Sequence, residues 1–578
     1  MAGSAELRKI APEIDALRLG MDWHQSDLDR PLIIIESTQG SSHPGSYHLN
    51  TLVNQVETGI VYSQGKPARF TVTDICDGIA QGHEGMNYSL ASREIMAAMV
   101  EIHARANAAD GMVLVSSCDK AVPAHLMAAG RLNLPTIHVP GGTMVTGPDG
   151  LTLEQVGSYG MMFQRGEISG KYLSGLKASA CPSCGACQFM GTAGTMQVMS
   201  EALGLALPGS AVMPAALRPV KEMAREAGHR VMQLVSRGIK ARDILTYDAF
   251  YNAIVVHAAI SGSTNALLHL TAIAREAGVQ LSADLFDDIN KKVPFLVNVR
   301  PAGKYSAEHF WYAGGVPALM QELGELLRLD VLTCTGQTLG ENLDMIRASG
   351  WLAGNSGFLK NYGLKKEDII FTPDKPIRPE GSIAILKGNL APEGSVVKHS
   401  AVSPEMQVHT GPARVYENEL EARRAILSGL IRPGDVVVIR YAGPKGSGMP
   451  EMFYTTEAIA SDPGLIATTA IITDGRFSGA TRGPAVGHIS PEAARGGPIA
   501  LVEENDLIKI DIPNRRIDVV GTEGRLKDPG EVERILAGRR EKRQGDVPDN
   551  PPDSGILGVY KSLATSAMSG GFMQTKAK

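Results

Sequence analysis

Short apolar runs alternate with amphipathic stretches over the first part of the chain. The continuous apolar runs predict buried strands at 31–36, 70–75, 111–115 and 135–139. Between these runs, apolar residues recur at helical spacing over 48–63, 89–106 and 122–132. Because strands that alternate with helices usually pair in parallel, the pattern predicts a mostly parallel sheet with helices on both faces.

The second part of the chain has a different texture. From 196 to 329 the pattern is largely helical, with clear helices predicted at 255–274 and 316–329. The segment 361–379 is rich in Lys, Asp and Pro and is typical of a domain boundary. Beyond it, short β-type runs broken by Gly and Pro predict strands at 382–386, 395–397, 413–416, 435–440, 467–472, 507–512 and 516–520.

These patterns predict two domains. The first is an N-terminal α/β domain with a mostly parallel sheet over 1–370, and the second is a β-barrel-like C-terminal domain over 371–578. The polar, Pro-rich segment 541–553 is predicted to lie on the surface. A chain of 578 residues is too long for one hydrophobic core, which agrees with this division.

Composition excludes several classes of function. A net charge of -5 and a pI near 6.3 give no basic surface for nucleic acid or for an anionic membrane. The N-terminal residues carry charges where a secretory signal needs an apolar stretch, and no apolar run approaches the roughly 20 residues of a membrane-spanning helix. We therefore expect a cytoplasmic protein that acts on a small molecule.

Cysteine placement suggests chemistry. Six cysteines are too few for a disulfide framework in a chain of this length. Cys76 and Cys118 each precede an aspartate at the end of a predicted strand, where open α/β sheets place ligands. Cys187 closes the string CPSCGAC. Thiolates suit iron–sulfur clusters or zinc, and carboxylates suit magnesium or manganese, so the chain is predicted to be a metalloenzyme.

Interpretations without a cluster remain open for each thiol. A free cysteine is often a small buried hydrophobe, and Cys334 fits that interpretation well. Cys181, Cys184 and Cys187 alone could belong to a zinc knuckle, although a second pair of ligands is missing. We expect Cys181 and Cys184 to be spare thiols and Cys76, Cys118 and Cys187 to be cluster ligands.

Oxygen ligands for a hard metal are also present. Asp77 and Asp119 directly follow two of the candidate cluster cysteines. Lys120 could lose its proton and react with carbon dioxide to form a carbamate, which is an oxygen ligand, or it could simply form a salt bridge to Asp119 or Asp77. Glu451 and Ser478 lie in the glycine-rich strings 441–452 and 472–483.

The two glycine-rich strings have less specific signals. Both could be surface turns. The first lacks the Walker spacing of a phosphate-binding loop, and the second lacks the first glycine of G-x-S-x-G. From the residues alone, Ser478 is a catalytic candidate of undefined type.

Taken together, these strings resemble the family of dihydroxy-acid dehydratases and 6-phosphogluconate dehydratases. The matching pieces run in family order over nearly the whole chain: CDGIAQGHEGM (76–86), SSCDK (116–120), VPGGTM (139–144), GACQFMGTAGTM (185–196), SGSTNALLH (261–269), KGNLAPEGSVVK (387–398), GPKGSGMPEM (443–452), DGRFSGATRG (474–483) and GHISPEAARGGPIA (487–500).

The resemblance implies an enzyme that removes water from a 2,3-dihydroxy carboxylate to give a 2-keto-3-deoxy acid. It implies that Cys118 and Cys187 hold an iron–sulfur cluster, of the 2Fe–2S or 4Fe–4S type. Asp77, Asp119, Glu451 and a carbamylated, catalytic Lys120 would hold Mg²⁺, and Ser478 would be the base. It also implies an α/β domain followed by a β-barrel-like domain, in a homodimer or homotetramer.

One departure from the family pattern affects the substrate prediction. Branched-chain dihydroxy-acid dehydratases carry their first cluster cysteine in a P-C-N-x-H-L string, whereas 43–49 here is HPGSYHL, with Gly45 at the position of the thiol. We expect Cys76 to supply the third ligand, and Ser46 and His48 to be candidate substrate-binding residues. This favours a sugar-acid (aldonate) dehydratase. The alternatives are a 2,3-dihydroxy-isovalerate dehydratase of branched-chain amino-acid synthesis and a non-catalytic iron–sulfur redox sensor.

Overall fold

The first sheet is formed early in the chain. The computed structural model describes residues 4–479, 481, 483–543 and 554–574, so most of the predicted surface segment 541–553 lies outside the described residues. Four strands form a sheet in the order β2-β1-β3-β4, and every pair in it is parallel. The strands are β1 (Leu32–Ser37), β2 (Lys66–Thr71), β3 (Gly111–Ser116) and β4 (Thr136–Pro140).

This arrangement confirms the predicted parallel sheet. The inner strands β1 and β3 are buried along their whole length, as their continuous apolar runs predict, while the edge strand β2 is partly exposed. The predicted strand at 70–75 is displaced, because β2 ends at Thr71 and 72–75 form the loop that leads to Cys76.

Helices cover the sheet and extend the first domain. Among the described residues, those of eight residues or more before position 370 are Leu49–Tyr62, Ser89–Ala106, Ala121–Leu132, Leu153–Gln164, Gly170–Ser179, Thr192–Ala202, Arg218–Arg237, Tyr247–Ala259, Asn265–Ala277, Ala283–Asn290, Gly315–Leu323, Leu339–Ser349 and Trp351–Leu359. In the second domain they are Glu419–Leu427, Phe453–Ala460, Pro529–Lys542 and Gly555–Leu563. None of the helices in the described part of the chain is long and apolar enough to cross a membrane.

The second domain contains a curled mixed sheet. Its strands are β5 (Ala384–Leu386), β6 (Gly394–Val397), β7 (Val408–Tyr416), β8 (Val436–Ile439), β9 (Ala470–Thr473), β10 (Ala485–Ser490), β11 (Leu507–Asp511), β12 (Arg516–Thr522) and β13 (Arg525–Leu526). They lie in the order β13-β12-β11-β7-β8-β9-β10-β6-β5, with parallel pairing from β7 to β10.

The sheet curls far enough that its two ends nearly meet. Lys387, directly after β5, pairs with Arg516 at the start of β12, and the Ile517 amide donates to the Lys387 carbonyl at 3.2 Å. The apolar side chains of β8, β11 and β12 share one buried core with those of β5. The predicted barrel-like domain is therefore confirmed as a half-barrel.

The end of the described chain returns to the first domain. Tyr560 lies in one buried cluster with Leu90 and Leu268, and its hydroxyl donates to the Gly571 carbonyl at 2.6 Å. The buried Arg93 guanidinium donates to the Gly570 carbonyl at 3.0 Å. These contacts join the two domains into one packed body, and the division at 370/371 stays a prediction.

Two glycines allow two helices to approach each other closely. A Cβ atom on Gly59 would lie 2.1 Å from the Arg225 carbonyl oxygen, and one on Gly228 would lie 2.2 Å from the Val56 carbonyl oxygen. Both obstacles are backbone atoms, which cannot swing away as a flexible side chain can. The helices Leu49–Tyr62 and Arg218–Arg237 therefore require glycine at this crossing.

We predict that Gly228→Ala lowers the thermal midpoint of unfolding. Overpacking costs about 1–3 kcal/mol, which exceeds the roughly 1 kcal/mol by which alanine improves helix propensity. The matched control is Gly538→Ala, because Gly538 lies inside the helix Pro529–Lys542 with open space around its Cα. The Gly538→Ala change should raise the midpoint. Equal shifts of the two thermal midpoints in calorimetry would contradict the close contact between the helices at Gly228.

Candidate active site

Three of the candidate cluster thiols lie close together at one edge of the first sheet. Cys118 follows β3 by two residues and is buried, Cys76 begins the short helix Asp77–Ala80, and Cys187 lies in the loop before the helix Thr192–Ala202. Burial raises the pKa of the Cys118 thiol well above its usual value, and the negative charges of its neighbours, including Cys76 and Cys187, raise it further.

Burial has the same effect on the other two thiols. It raises the pKa of Cys76 to about 12 and the pKa of Cys187 well above its usual value. Thiols in such a site become thiolates only beside strong positive charge, such as iron. The three thiols lie near enough to affect one another's pKa, which fits an iron–sulfur cluster.

The remaining thiols lie apart from this group or at its margin. Cys334 is completely buried among apolar residues of the first domain, in agreement with a structural role. Cys181 is exposed and Cys184 is half-buried. Whether either of the two contributes to the cluster stays a prediction.

The oxygen ligands predicted from the sequence also come together. The Lys120 ammonium contacts the Asp77 carboxylate at 2.6 Å, and both side chains are buried. Burial and the negative charge of Asp77 raise the pKa of Asp119 to about 7, with a further contribution from Glu451. Carboxylates crowded in this way fit a divalent cation such as Mg²⁺. Lys120 here forms the salt bridge that the sequence left as an alternative, and its carbamylation stays a prediction.

Arg476 is the charged residue beside these carboxylates that sequence reasoning missed. It is fully buried, forms an ion pair with Glu451, donates to the Ser89 hydroxyl at 2.9 Å and lies 3.5 Å from Asp77. Although burial raises the pKa of Asp77, the charges of Lys120 and Arg476 outweigh it, and this pKa lies below its usual value. The sequence feature that could have identified Arg476 is a charged residue inside the glycine-rich string that contains Ser478.

Two amides hold the Glu451 carboxylate in place. Asn265 donates to one of its oxygens at 2.8 Å and Gln81 donates to the other at 3.2 Å. The amide oxygens of Asn265 and Gln81 are themselves buried without a hydrogen-bond partner. Unsatisfied buried acceptors around a carboxylate are a further feature that fits a bound cation.

A cavity of about 650 Å³ opens above these groups. One end is lined by ionisable and polar residues, namely Asp77, Asp119, Cys187, Glu451 and Ser478. The rest of the wall is mixed: it includes the apolar residues Leu153, Val156, Met161, Phe189 and Phe453 and the polar residues Glu154, Gln164, Lys177 and Arg423. The cavity therefore combines a charged end with a wall of mixed polar and apolar residues.

The candidate substrate residues Ser46 and His48 do not line this cavity. The Ser46 hydroxyl donates to the Gly40 carbonyl at 3.2 Å, and His48 Nε2 contacts the Gly141 carbonyl at 2.7 Å. Both contacts fix loops at the edge of the sheet. A direct role in substrate binding stays a prediction for these two residues.

The family to which the sequence is similar agrees with a site for an iron–sulfur cluster and Mg²⁺. Residues 30–342 match the family model described as dihydroxy-acid/6-phosphogluconate dehydratase N-terminal, and residues 368–571 match the corresponding C-terminal model. The chain belongs to this family. It is therefore a hydro-lyase, and the family uses an iron–sulfur cluster and Mg²⁺.

Individual relatives are similar over nearly their whole length. A dihydroxy-acid dehydratase of Methanothrix thermoacetophila is 46% identical over 574 residues, which cover 99% of this chain and 100% of the relative. The enzyme of the same name from Methanosarcina barkeri is 44% identical over 556 residues, 95% of each chain. That from Caldanaerobacter subterraneus is 47% identical over 511 residues, 87% and 88% of the two chains.

These relatives overturn the sugar-acid prediction. Proteins 42–47% identical to this chain, and matched over most of it, are named dihydroxy-acid dehydratase. The lack of a thiol at Gly45 therefore does not indicate a sugar-acid substrate, and the role of Cys76 as third ligand stays a prediction. Membership in a family of dehydratases also excludes the non-catalytic redox sensor.

We predict that Arg476→Met destabilises the protein by about 3–5 kcal/mol, because it leaves the buried Glu451 without its cation. The control is Arg218→Met, which removes an exposed ion pair with Glu222 and should change the free energy of unfolding by less than about 1 kcal/mol. Urea denaturation followed by circular dichroism measures both. Equal losses of unfolding free energy in the two variants would mean that the buried Arg476–Glu451 pair contributes no more to stability than an exposed pair.

Proposed function

We propose that this enzyme dehydrates a branched 2,3-dihydroxy acid, such as 2,3-dihydroxy-isovalerate, to the 2-keto acid, here 2-keto-isovalerate. The relatives named dihydroxy-acid dehydratase support this substrate class. The cavity supports it independently. Its charged end, with the metals bound, would suit the carboxylate and the two hydroxyls, and the apolar residues of its wall would suit the alkyl groups.

The proposal assigns two inorganic groups to the charged end. Cys76, Cys118 and Cys187 would hold the iron–sulfur cluster, and three thiolates would leave one iron open. Asp77, Asp119, Glu451 and carbamylated Lys120 would hold Mg²⁺. When bound, these groups supply the Lewis acidity that stabilises a developing enolate and makes the 3-hydroxyl a better leaving group.

The chain's own residues have separate tasks in this reaction. Ser478 lines the charged end of the cavity and would take the proton from carbon 2. Arg476, Asn265 and Gln81 fix the Glu451 carboxylate and so preserve its orientation. The bond between carbon 3 and its hydroxyl breaks as water is released, and the resulting enol becomes the 2-keto acid.

The first test is a substrate panel. Anaerobically purified protein with Mg²⁺ should form a 2-keto acid from 2,3-dihydroxy-isovalerate much faster than from aldonates of three to six carbons. The reason is that a hydroxylated chain loses part of its hydration where it meets the apolar residues of the wall, whereas alkyl groups are stabilised by burial against them. Keto-acid formation is measured as the dinitrophenylhydrazone. Preference for a polyhydroxylated acid would contradict the proposal.

The second test concerns the base. Ser478→Ala should lower kcat by about 10²–10⁴-fold, the range typical of a lost general base, while the iron content and the cluster absorbance stay unchanged. Ser236→Ala is the control, because the exposed Ser236 hydroxyl donates to the Gln233 carbonyl within its own helix, Arg218–Arg237. Unchanged turnover in the Ser478 variant would exclude its role as base.

A further inference from the structure

Cys118 lies beside a buried histidine and aspartate that the proposed reaction does not use. His43 Nδ1 is 3.7 Å from the Cys118 sulfur, and His43 Nε2 is 2.8 Å from Asp74 Oδ1. One ligand-type atom from each of the three residues lies within 4.8 Å of the others, and all three residues are buried. The result is a continuous Asp–His–Cys chain of polar contacts.

Sheet topology brings these three residues together. Asp74, His43 and Cys118 follow the carboxyl ends of β2, β1 and β3, which are adjacent in the sheet. The three loops therefore meet at one edge. Position 45 is also essential to the contact, since a Cβ on Gly45 would lie 2.2 Å from the Cys118 sulfur and 3.2 Å from His43 Nδ1. Glycine leaves the space through which the imidazole reaches the sulfur.

A contribution to stability does not explain why Asp74, His43 and Cys118 are buried together. A buried pair of ionisable residues is often no more stable than apolar residues of the same volume. Here the second oxygen of Asp74 is buried without a hydrogen-bond partner, which is a further cost to folding. Asp74 contacts Nε2 of His43, and the other ring nitrogen, Nδ1, faces Cys118. Asp74 therefore orients the imidazole towards the sulfur.

We propose that His43 is a positioning residue that donates a hydrogen bond from Nδ1 to the Cys118 sulfur in the cluster-loaded enzyme, and that Asp74 fixes the imidazole for this purpose. An iron-bound sulfur carries no proton, so it can only accept, and the hydrogen must lie on Nδ1. This holds whichever of Asp74 and His43 Nε2 keeps the proton between them. The inference rests on the cluster placement proposed above.

The hydrogen bond has a measurable consequence. Donors to a sulfur ligand withdraw negative charge from the cluster, which favours its reduced form and raises its reduction potential. The effect is large where water is excluded, as it is around the buried Cys118. His43 therefore sets the potential of the cluster without binding iron.

The test compares clusters in four proteins reconstituted anaerobically: the unaltered enzyme, His43→Leu, His43→Asn and Asp74→Asn. The leucine variant should favour the oxidised cluster by roughly tenfold, which is about 59 mV for a one-electron couple. The asparagine variant at 43 should restore most of the potential, because its amide nitrogen lies about where Nδ1 was. Asp74→Asn should give an intermediate value.

A matched control and a spectroscopic signature separate this role from a structural one. His103 pairs with Glu36 at 3.1 Å in the same domain, and its described contacts include no thiol, so His103→Leu should leave the potential unchanged. Electron-nuclear double resonance of the reduced cluster should show an exchangeable proton coupling in the unaltered enzyme and in His43→Asn. The coupling should be absent in His43→Leu.

Each other outcome overturns a different statement. Equal potentials and equal proton couplings in the unaltered and leucine enzymes, at equal iron content, would refute the hydrogen bond alone. A strong directly bonded nitrogen coupling that disappears with His43 would show that the imidazole is an iron ligand instead. Failure of the unaltered enzyme to take up any cluster would refute the cluster placement itself. If the leucine variant does not fold, the potentials and proton couplings of His43→Asn and Asp74→Asn are the test of the hydrogen bond.

Discussion

Compensation of buried charge, where the two domains meet, is the constraint on which the site depends. Arg476 and Lys120 are fully buried beside the carboxylates of Asp77 and Glu451. Because removal of an isolated ion from water is very costly, neither the cations nor the carboxylates can be buried alone. Arg476 belongs to the loop after β9, whereas Asp77 belongs to the first domain, so docking of the domains and assembly of the site are one event.

Much of the fold follows from local pattern, and the part of the site that could be predicted follows from local strings. The fully apolar runs of β1 and β3 predict inner strands of a parallel sheet, and the acids after Cys76 and Cys118 predict oxygen ligands at its edge. The strand before Cys76 was placed too late, because an edge strand is only half-buried and its pattern is weak.

The residues that were missed are those defined by contacts between distant segments. Arg476 meets Ser89 across 387 positions of sequence, and Asn265 meets Glu451 across 186. His43 has no unusual neighbour in sequence, and only the adjacency of β1, β2 and β3 shows that it faces Asp74 and Cys118. A one-dimensional pattern records none of these distances.

The error in the substrate prediction has a physical explanation. In the proposed reaction, the thiols and carboxylates at the charged end would act on the carboxylate and the two hydroxyls, which every 2,3-dihydroxy acid has in common. The positions of these residues, including a cluster role for Cys76, would therefore not distinguish one member of the class from another. Discrimination requires contact with the remainder of the substrate, for which the cavity offers apolar residues such as Val156, Met161 and Phe453. Val156 and Met161 lie in the helix Leu153–Gln164 and Phe453 begins the distant helix Phe453–Ala460, so specificity depends on the assembled wall of the cavity and not on any motif.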